Sequence, residues 1–290
     1  MEKIKFYITD VFGKKKYTGN QLATVLDYGR IDGQEMQQIA REFNFSETTF
    51  ITSPDKNNGG YQVRIFTPGR EIDFAGHPTL GTAHILRNYV AEDVTGKIIL
   101  NLKVGQIPVE CSGNIYSMTQ VQPRFGKEFP TVLIAGALGL KDKDIDTKSP
   151  IIEVSTGLPF LIVPLVSKQA LQNIKINMEQ YTRFASQSDA SGVLVFTDEG
   201  QEPGQTLSVR VFVPTLGIPE DPATGSGNGC LAAWLLRYNF LGKQQIDIKV
   251  GQGYEINRPS EIAIRASLNN NIYDLHVGGQ VIEIAEGYLR

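Results

Sequence analysis

The sequence predicts an α+β protein of two pseudo-symmetric domains, each a curved sheet wrapped around one helix. Three observations predict this. A segment occurs twice. Arg64-Ile65-Phe66-Thr67-Pro68 leads into Asp73-Phe74-Ala75-Gly76-His77-Pro78-Thr79 and the small-residue run Gly81-Thr82-Ala83. Arg210-Val211-Phe212-Val213-Pro214 leads into Asp221-Pro222-Ala223-Thr224-Gly225-Ser226-Gly227-Asn228 and then Cys230-Leu231-Ala232-Ala233. Each copy reads as a strand, a polar loop and a helix opening at a glycine. Most of the remaining chain alternates apolar and polar residues with the period of half-buried strands. Finally, the helices after the repeated loops carry Gly and Ala where an exposed helix has no need of them, so strands can approach from several sides.

In chain order, alternation marks strands at 5–8, 61–66, 97–102, 151–154, 160–163, 192–196 and 207–213. From Ile246 to Leu289 it continues as several strands separated by Gly251-Gln252-Gly253, Asn269-Asn270-Asn271 and Gly278-Gly279 turns. Few helices interrupt. Asp32-Gly33-Gln34-Glu35 resembles a capping box, followed by the apolar stripe Met36, Ile39, Ala40 and Phe43 and a stop near Asn44. Pro78 suits the first position of the next helix, where its missing N–H would have had no partner. A third helix is predicted from about Asn228 to Tyr238, with Trp234, Leu235 and Leu236 filling the second core. Gly113 to Arg124 reads as the linker between the halves.

The chain has 290 residues, 41% hydrophobic and 20% charged, which suits two globular domains of medium size. A formal charge of −3 offers no broad basic surface, so nucleic acid is not an expected partner. No apolar span of membrane length occurs, and the opening MEKIKFYITDVFG alternates like a strand rather than a signal peptide. A cytoplasmic protein is expected. Two cysteines, Cys111 and Cys230, and three scattered histidines give neither a disulfide framework nor a metal site.

A helix start gathers unpaired backbone N–H groups and the positive end of the macrodipole, and so attracts an anion. Two such starts suggest one cleft with an anion cradle on each wall. Glu47, in Ser46-Glu47-Thr48-Thr49-Phe50-Ile51, shares a strand face with Thr49 and Ile51. A carboxylic acid partly withdrawn from water is biased toward a raised pKa, which suits proton transfer near neutrality. The plainer alternative has Glu47 in solvent or paired with an arginine. His77, at a helix start, is kept neutral by the positive helix end, or simply caps the helix. Asp221 and Ser226 sit in a glycine-rich loop able to form an anion nest, although Asp221 alone could equally be a helix cap. That loop matches neither a P-loop, a dinucleotide fingerprint nor a hydrolase elbow. Asn20 is a third polar loop residue, readable as a turn asparagine. His84 and His276 read as structural.

Together these segments make the chain resemble the PhzF-like family of phenazine biosynthesis, whose fold is shared with diaminopimelate epimerase and proline racemase. The resemblance rests on Gly19-Asn20-Gln21-Leu22-Ala23-Thr24-Val25, Ser46-Glu47-Thr48-Thr49-Phe50 and Asp73-Phe74-Ala75-Gly76-His77-Pro78-Thr79. It continues through Ser155-Thr156-Gly157-Leu158-Pro159, the Glu220 to Asn228 loop, Gln252-Gly253 and Asn257-Arg258-Pro259-Ser260. It implies two barrel-like domains, each around a central helix, with the active site between them. The last strand then returns to the first domain, giving residues 1–117 plus 278–290 and residues 118–277. It also implies a cofactor-free isomerase, usually a homodimer, acting on a small carboxylate-bearing metabolite. Glu47 corresponds to the general acid/base, His77 and Asp221 to supporting catalytic groups. Asn20, Gly76, Gly225, Ser226 and Gly227 correspond to substrate contacts. The racemase relatives place a cysteine in each loop, where this chain has Gly76-His77 and Gly225-Ser226, so two-thiol racemisation is not expected. Rival expectations are a cofactor-independent racemase or epimerase using Glu47 with another acid or base, and a catalytically silent carboxylate-binding protein of the same fold.

Overall fold

The computed structural model describes residues 3–91 and 96–290. The chain divides into two compact units, Met1–Thr119 with Gly278–Arg290, and Gln120–Val277.

The first unit opens with β1 (Ile4–Val11) and β2 (Asn20–Val25), paired antiparallel. Next comes α1 (Gly33–Phe43), where Asp32 accepts from the Gln34 and Glu35 amides and Asn44 ends the helix in the left-handed region. Then follow β3 (Glu47–Ile51), β4 (Tyr61–Phe66), β5 (Glu71–Ile72), α2 (Gly76–Ile85), β6 (Lys97–Leu102), β7 (Gly105–Ser112) and β8 (Ile115–Thr119). Helix α2 starts two residues before Pro78. The proline still lies in the first turn, where helical N–H groups lack intrahelical partners, so the helix tolerates it. Every residue of α2 is buried, and it packs on β1, β2, β3, β6, β7 and β8. Gly81 makes this possible: a Cβ there would lie 2.5 Å from Leu22 Cδ2 and 2.9 Å from Val11 Cγ2.

The second unit contains β9 (Arg124–Glu128), α3 (Thr131–Leu138), β10 (Ile152–Ser155), β11 (Pro159–Pro164), α4 (Lys168–Gln172) and α5 (Met178–Ala185). After these come β12 (Gly192–Thr197), β13 (Leu207–Val213), β14 (Ile218–Asp221), α6 (Gly225–Arg237), β15 (Gln245–Gln252) and β16 (Ser260–Asn269). Helix α6 begins three residues earlier than its apolar pattern predicts, because glycines and Ser226 form its first turn. It is buried against β10, β11 and β16, and Trp234, fully buried, donates from Nε1 to the Pro150 carbonyl at 3.1 Å. Helices α3, α4 and α5 are additions to the three predicted. Tyr181, Phe184 and Ile134 from α5 and α3 cover Leu161, Val163, Val193 and Val195, so β11 and β12 are buried on both faces.

Pairings occur in the same order in the two units, the topological form of the repeated segment. In the first, β1–β2 is antiparallel, β2–β3 parallel, β3–β4 and β4–β5 antiparallel, β4–β6 parallel and β6–β7 antiparallel. In the second, β10–β11, β11–β12, β12–β13, β13–β14, β13–β15 and β15–β16 repeat that sequence of directions. The last strand, β17 (Ile272–Leu289), follows a two-residue turn in which Asn270 and Asn271 both have positive φ. Its pairings with β1 and with β8 close the first unit's sheet into a barrel. Gly278-Gly279 is no turn but lies inside β17, where a Cβ on Gly278 would come 2.5 Å from the Tyr116 carbonyl oxygen. Among the described residues no helix is long and apolar enough to cross a membrane.

Candidate active site

In the first unit the structure joins Glu47 to His77. Glu47 opens β3, whose Thr49 hydrogen-bonds Thr82 of α2 while Phe50 packs in the cluster with Met36 and Ala40 of α1. Residues 48–51 are all buried, so the predicted alternation appears in direction and not in exposure. Glu47 shares Thr49's face, and its Oε2 lies 3.5 Å from Nε2 of His77, the second residue of α2. The side chains are 15% and 5% exposed. Burial lowers the His77 pKa from 6.5 to about 3, a hydrogen bond to the Gln21 backbone acting in the opposite direction. Burial, not the helix end, is the dominant cause. Nε2 makes no hydrogen bond, so the Gln21 bond belongs to Nδ1. The neutral ring therefore carries its proton on Nδ1 and turns the Nε2 lone pair toward Glu47. This contact is not an ion pair at neutral pH. Asn20, buried beside Gln21, opens β2.

The second group surrounds the start of α6. Asp221 ends β14 and is 8% exposed. Thr224 occupies the N-cap position, yet its hydroxyl donates to Asp221 Oδ2 at 2.5 Å and does not cap the helix. At α2 the N-cap residue is Ala75, which has no capping group. Both helices thus begin without a side-chain N-cap, and Gly76, Gly225, Ser226 and Gly227 present first-turn amides. The repeated Arg-x-Phe segments act alike in both units. Arg64 bonds both oxygens of Glu71 and lies over Phe66, and Arg210 bonds both oxygens of Glu220 and lies over Phe212. The acids that follow differ: Asp73 is 68% exposed, whereas Asp221 is buried.

Elsewhere, Cys111 and Cys230 are buried free thiols, and burial pushes Cys230 up to about 11. His84 Nε2 meets Glu283 at 2.7 Å, and His276 Nε2 meets Asp274 at 2.9 Å. Among the described residues no group of three or more His, Cys, Asp or Glu side chains is disposed to hold a metal ion. Gln21, Thr224 and Gln252 carry contacts that sequence reasoning assigned to no role. Their only signal was membership of the Gly19–Val25, Glu220–Asn228 and Gln252-Gly253 segments.

The fold consists of two units of repeated topology, each with a buried helix that begins without a side-chain N-cap. A protein from Agrobacterium radiobacter described as a probable proline racemase shares the fold at a TM-score of 0.65 and 9% identity, covering 99% of this chain and 93% of its own. The family model described as phenazine biosynthesis-like protein matches residues 9–287, and the chain belongs to that family. It is 32% identical to a trans-2,3-dihydro-3-hydroxyanthranilate isomerase from Pseudomonas aeruginosa, over 98% of each chain. A PhzF-family protein from Bacillus anthracis superimposes with a TM-score of 0.91 at 26% identity, covering 100% of both chains. With relatives named isomerases and epimerases, the chain is an enzyme of the isomerase class.

Proposed function

We propose that this protein is a cofactor-independent isomerase that moves a proton between carbon atoms of a small carboxylate-bearing substrate, with Glu47 as general acid/base. The observation carrying this reading is the Nε2 lone pair of a neutral, buried His77 aimed at the Glu47 carboxyl. Two acceptors facing each other disfavour the carboxylate. Once Glu47 takes a proton from carbon, its O–H gains Nε2 as an acceptor, so the pair favours abstraction. Glu47 then returns the proton at another carbon of the conjugated system. Proton transfer by a placed side chain contributes about 10²- to 10⁴-fold. Asn20, Gly76, Gly225, Ser226 and Gly227 are assigned to the substrate's polar groups. Asp221 supports them. Loss of one such donor to a developing oxyanion costs roughly 3–4 kcal/mol.

The test is incubation in D₂O with trans-2,3-dihydro-3-hydroxyanthranilate, the compound in the relatives' name, and a panel of small carboxylates, beside Glu47→Gln. Deuterium uptake at carbon with double-bond migration, lost in the variant, supports the reading. Inversion at one stereocentre without migration makes the enzyme an epimerase. Full exchange by Glu47→Gln sinks the assignment of Glu47.

A further inference from the structure

Gln252 ends β15, is 1% exposed, and spends its whole amide on the loop that carries Asp221. Its Nε2 donates to the Asp221 carbonyl at 2.8 Å and to Thr224 Oγ1 at 3.0 Å. Its Oε1 accepts from the Thr224 amide at 3.2 Å and from Asn228 Nδ2 at 3.0 Å. The Thr224 backbone N–H can only donate and the Asp221 carbonyl can only accept, so the amide has one allowed orientation. With a donor arriving from Gln252, the Thr224 hydroxyl turns its own hydrogen to Asp221 Oδ2. The chain of bonds runs in one direction, from Gln252 through Thr224 to the carboxylate. It also explains why Thr224 leaves α6 uncapped.

The backbone is tightly packed at the next residue. Gly253 follows with φ +78°, and a Cβ there would lie 2.4 Å from the Arg258 oxygen and 2.5 Å from the Pro222 oxygen. Ser260 Oγ donates to that same Pro222 carbonyl at 3.0 Å. The fold does not require such a device to start a helix. In the first unit the corresponding Asp73 faces solvent, 3.8 Å from Lys103, and α2 forms all the same.

We propose that Gln252 is a positioning residue for the isomerase reaction: through Thr224 it holds Asp221 as a hydrogen-bonded acceptor in one rotamer. This rests on the role given to Asp221 above. Gln252→Glu keeps the size and the acceptor but replaces two N–H hydrogens with at most one acid O–H, so the Asp221 carbonyl and Thr224 Oγ1 can no longer both receive a donor. Thr224→Val removes the relayed hydrogen, and Thr224→Ser keeps it. With trans-2,3-dihydro-3-hydroxyanthranilate as probe, Gln252→Glu and Thr224→Val should lower kcat by about ten- to a hundredfold with KM nearly constant, the value of one hydrogen bond to a charged group. Thr224→Ser should restore the rate. In an Asp221→Asn background the Gln252→Glu change should have almost no further effect, since the two act as one unit. Equal losses in both backgrounds would overturn the proposal. A crystal structure of Gln252→Glu decides it without turnover: loss of the Thr224–Asp221 hydrogen bond supports it, and its persistence overturns it. A wild type inert toward the probe would count against the isomerase reading, while that structural result still judges Gln252.

Discussion

Replacing His77 with Gln removes the buried imidazole that faces Glu47, and the pH dependence of stability measures what that ring costs in acid. In the unfolded chain His77 titrates near 6.5, and in the folded protein near 3, because burial penalises the imidazolium. Between those values the unfolded chain binds a proton that the folded protein refuses. The contribution is therefore complete above pH 6.5 and is lost as pH falls toward 3, with a slope of about 1.4 kcal/mol per pH unit. At pH 5 the expected loss is about 2 kcal/mol relative to pH 8. His84 is also lowered by burial and adds in the same direction, so only the difference between wild type and His77→Gln isolates the ring. Native-state amide exchange of α2 is the suitable assay, because Trp234 fluorescence reports on the other unit. Wild type should lose about 2 kcal/mol more than the variant between pH 8 and 5. Imidazole ¹⁵N shifts should show the Nδ1–H tautomer and no titration down to pH 4. Titration near 6.5, or equal pH dependence in both proteins, would falsify the account of a neutral His77.

Three further outcomes follow from the packing. Gly81→Val should destabilise by about 3 kcal/mol or more, seen as a lower Tm, because its side chain has to displace Leu22 and Val11. Arg210→Met should cost about 3–5 kcal/mol in urea melts read by Trp234 fluorescence, since it leaves a Glu220 carboxylate that is only 8% exposed without its guanidinium. Arg210→Met with Glu220→Leu should recover most of that loss. The Cys230 thiol should react with a disulfide reagent at pH 8 only as fast as the protein opens, because burial both shields it and pushes it up to about 11. Rapid reaction in the folded protein would contradict the buried position.

Strands at Tyr61–Phe66, Lys97–Leu102 and Leu207–Val213 were legible to the residue, because apolar residues on such strands meet a core on at least one face. Helix α5 was also legible in principle. Asn177 caps it, and Tyr181 and Phe184 are buried at helical spacing, although eight residues hold too few turns for the period to stand out. Helix α3 carried no such signal: Thr131–Leu138 is apolar almost throughout, and composition without period does not distinguish helix from strand. Gly278-Gly279 looks like a turn because a small residue for close approach and a small residue for bending are the same letter. Glu47 and His77 were visible as motif residues. The neutral ring was also expected, but from the helix end; that burial is its main cause, the 3.5 Å separation and the tautomer were not visible, since each depends on strands distant in sequence.

The sequence by itself determined the repeat, the enclosed glycine-rich helices and the two polar loops ahead of them. Those are properties of local spacing, side-chain size and turn chemistry, which a linear string records. Only the tertiary structure decided that the two copies of one loop differ, with Asp73 left in water and Asp221 enclosed by Thr224 and Gln252. The physical reason is that solvation and hydrogen-bond direction belong to the space around a side chain, and that space is filled by β15, a strand far along the chain.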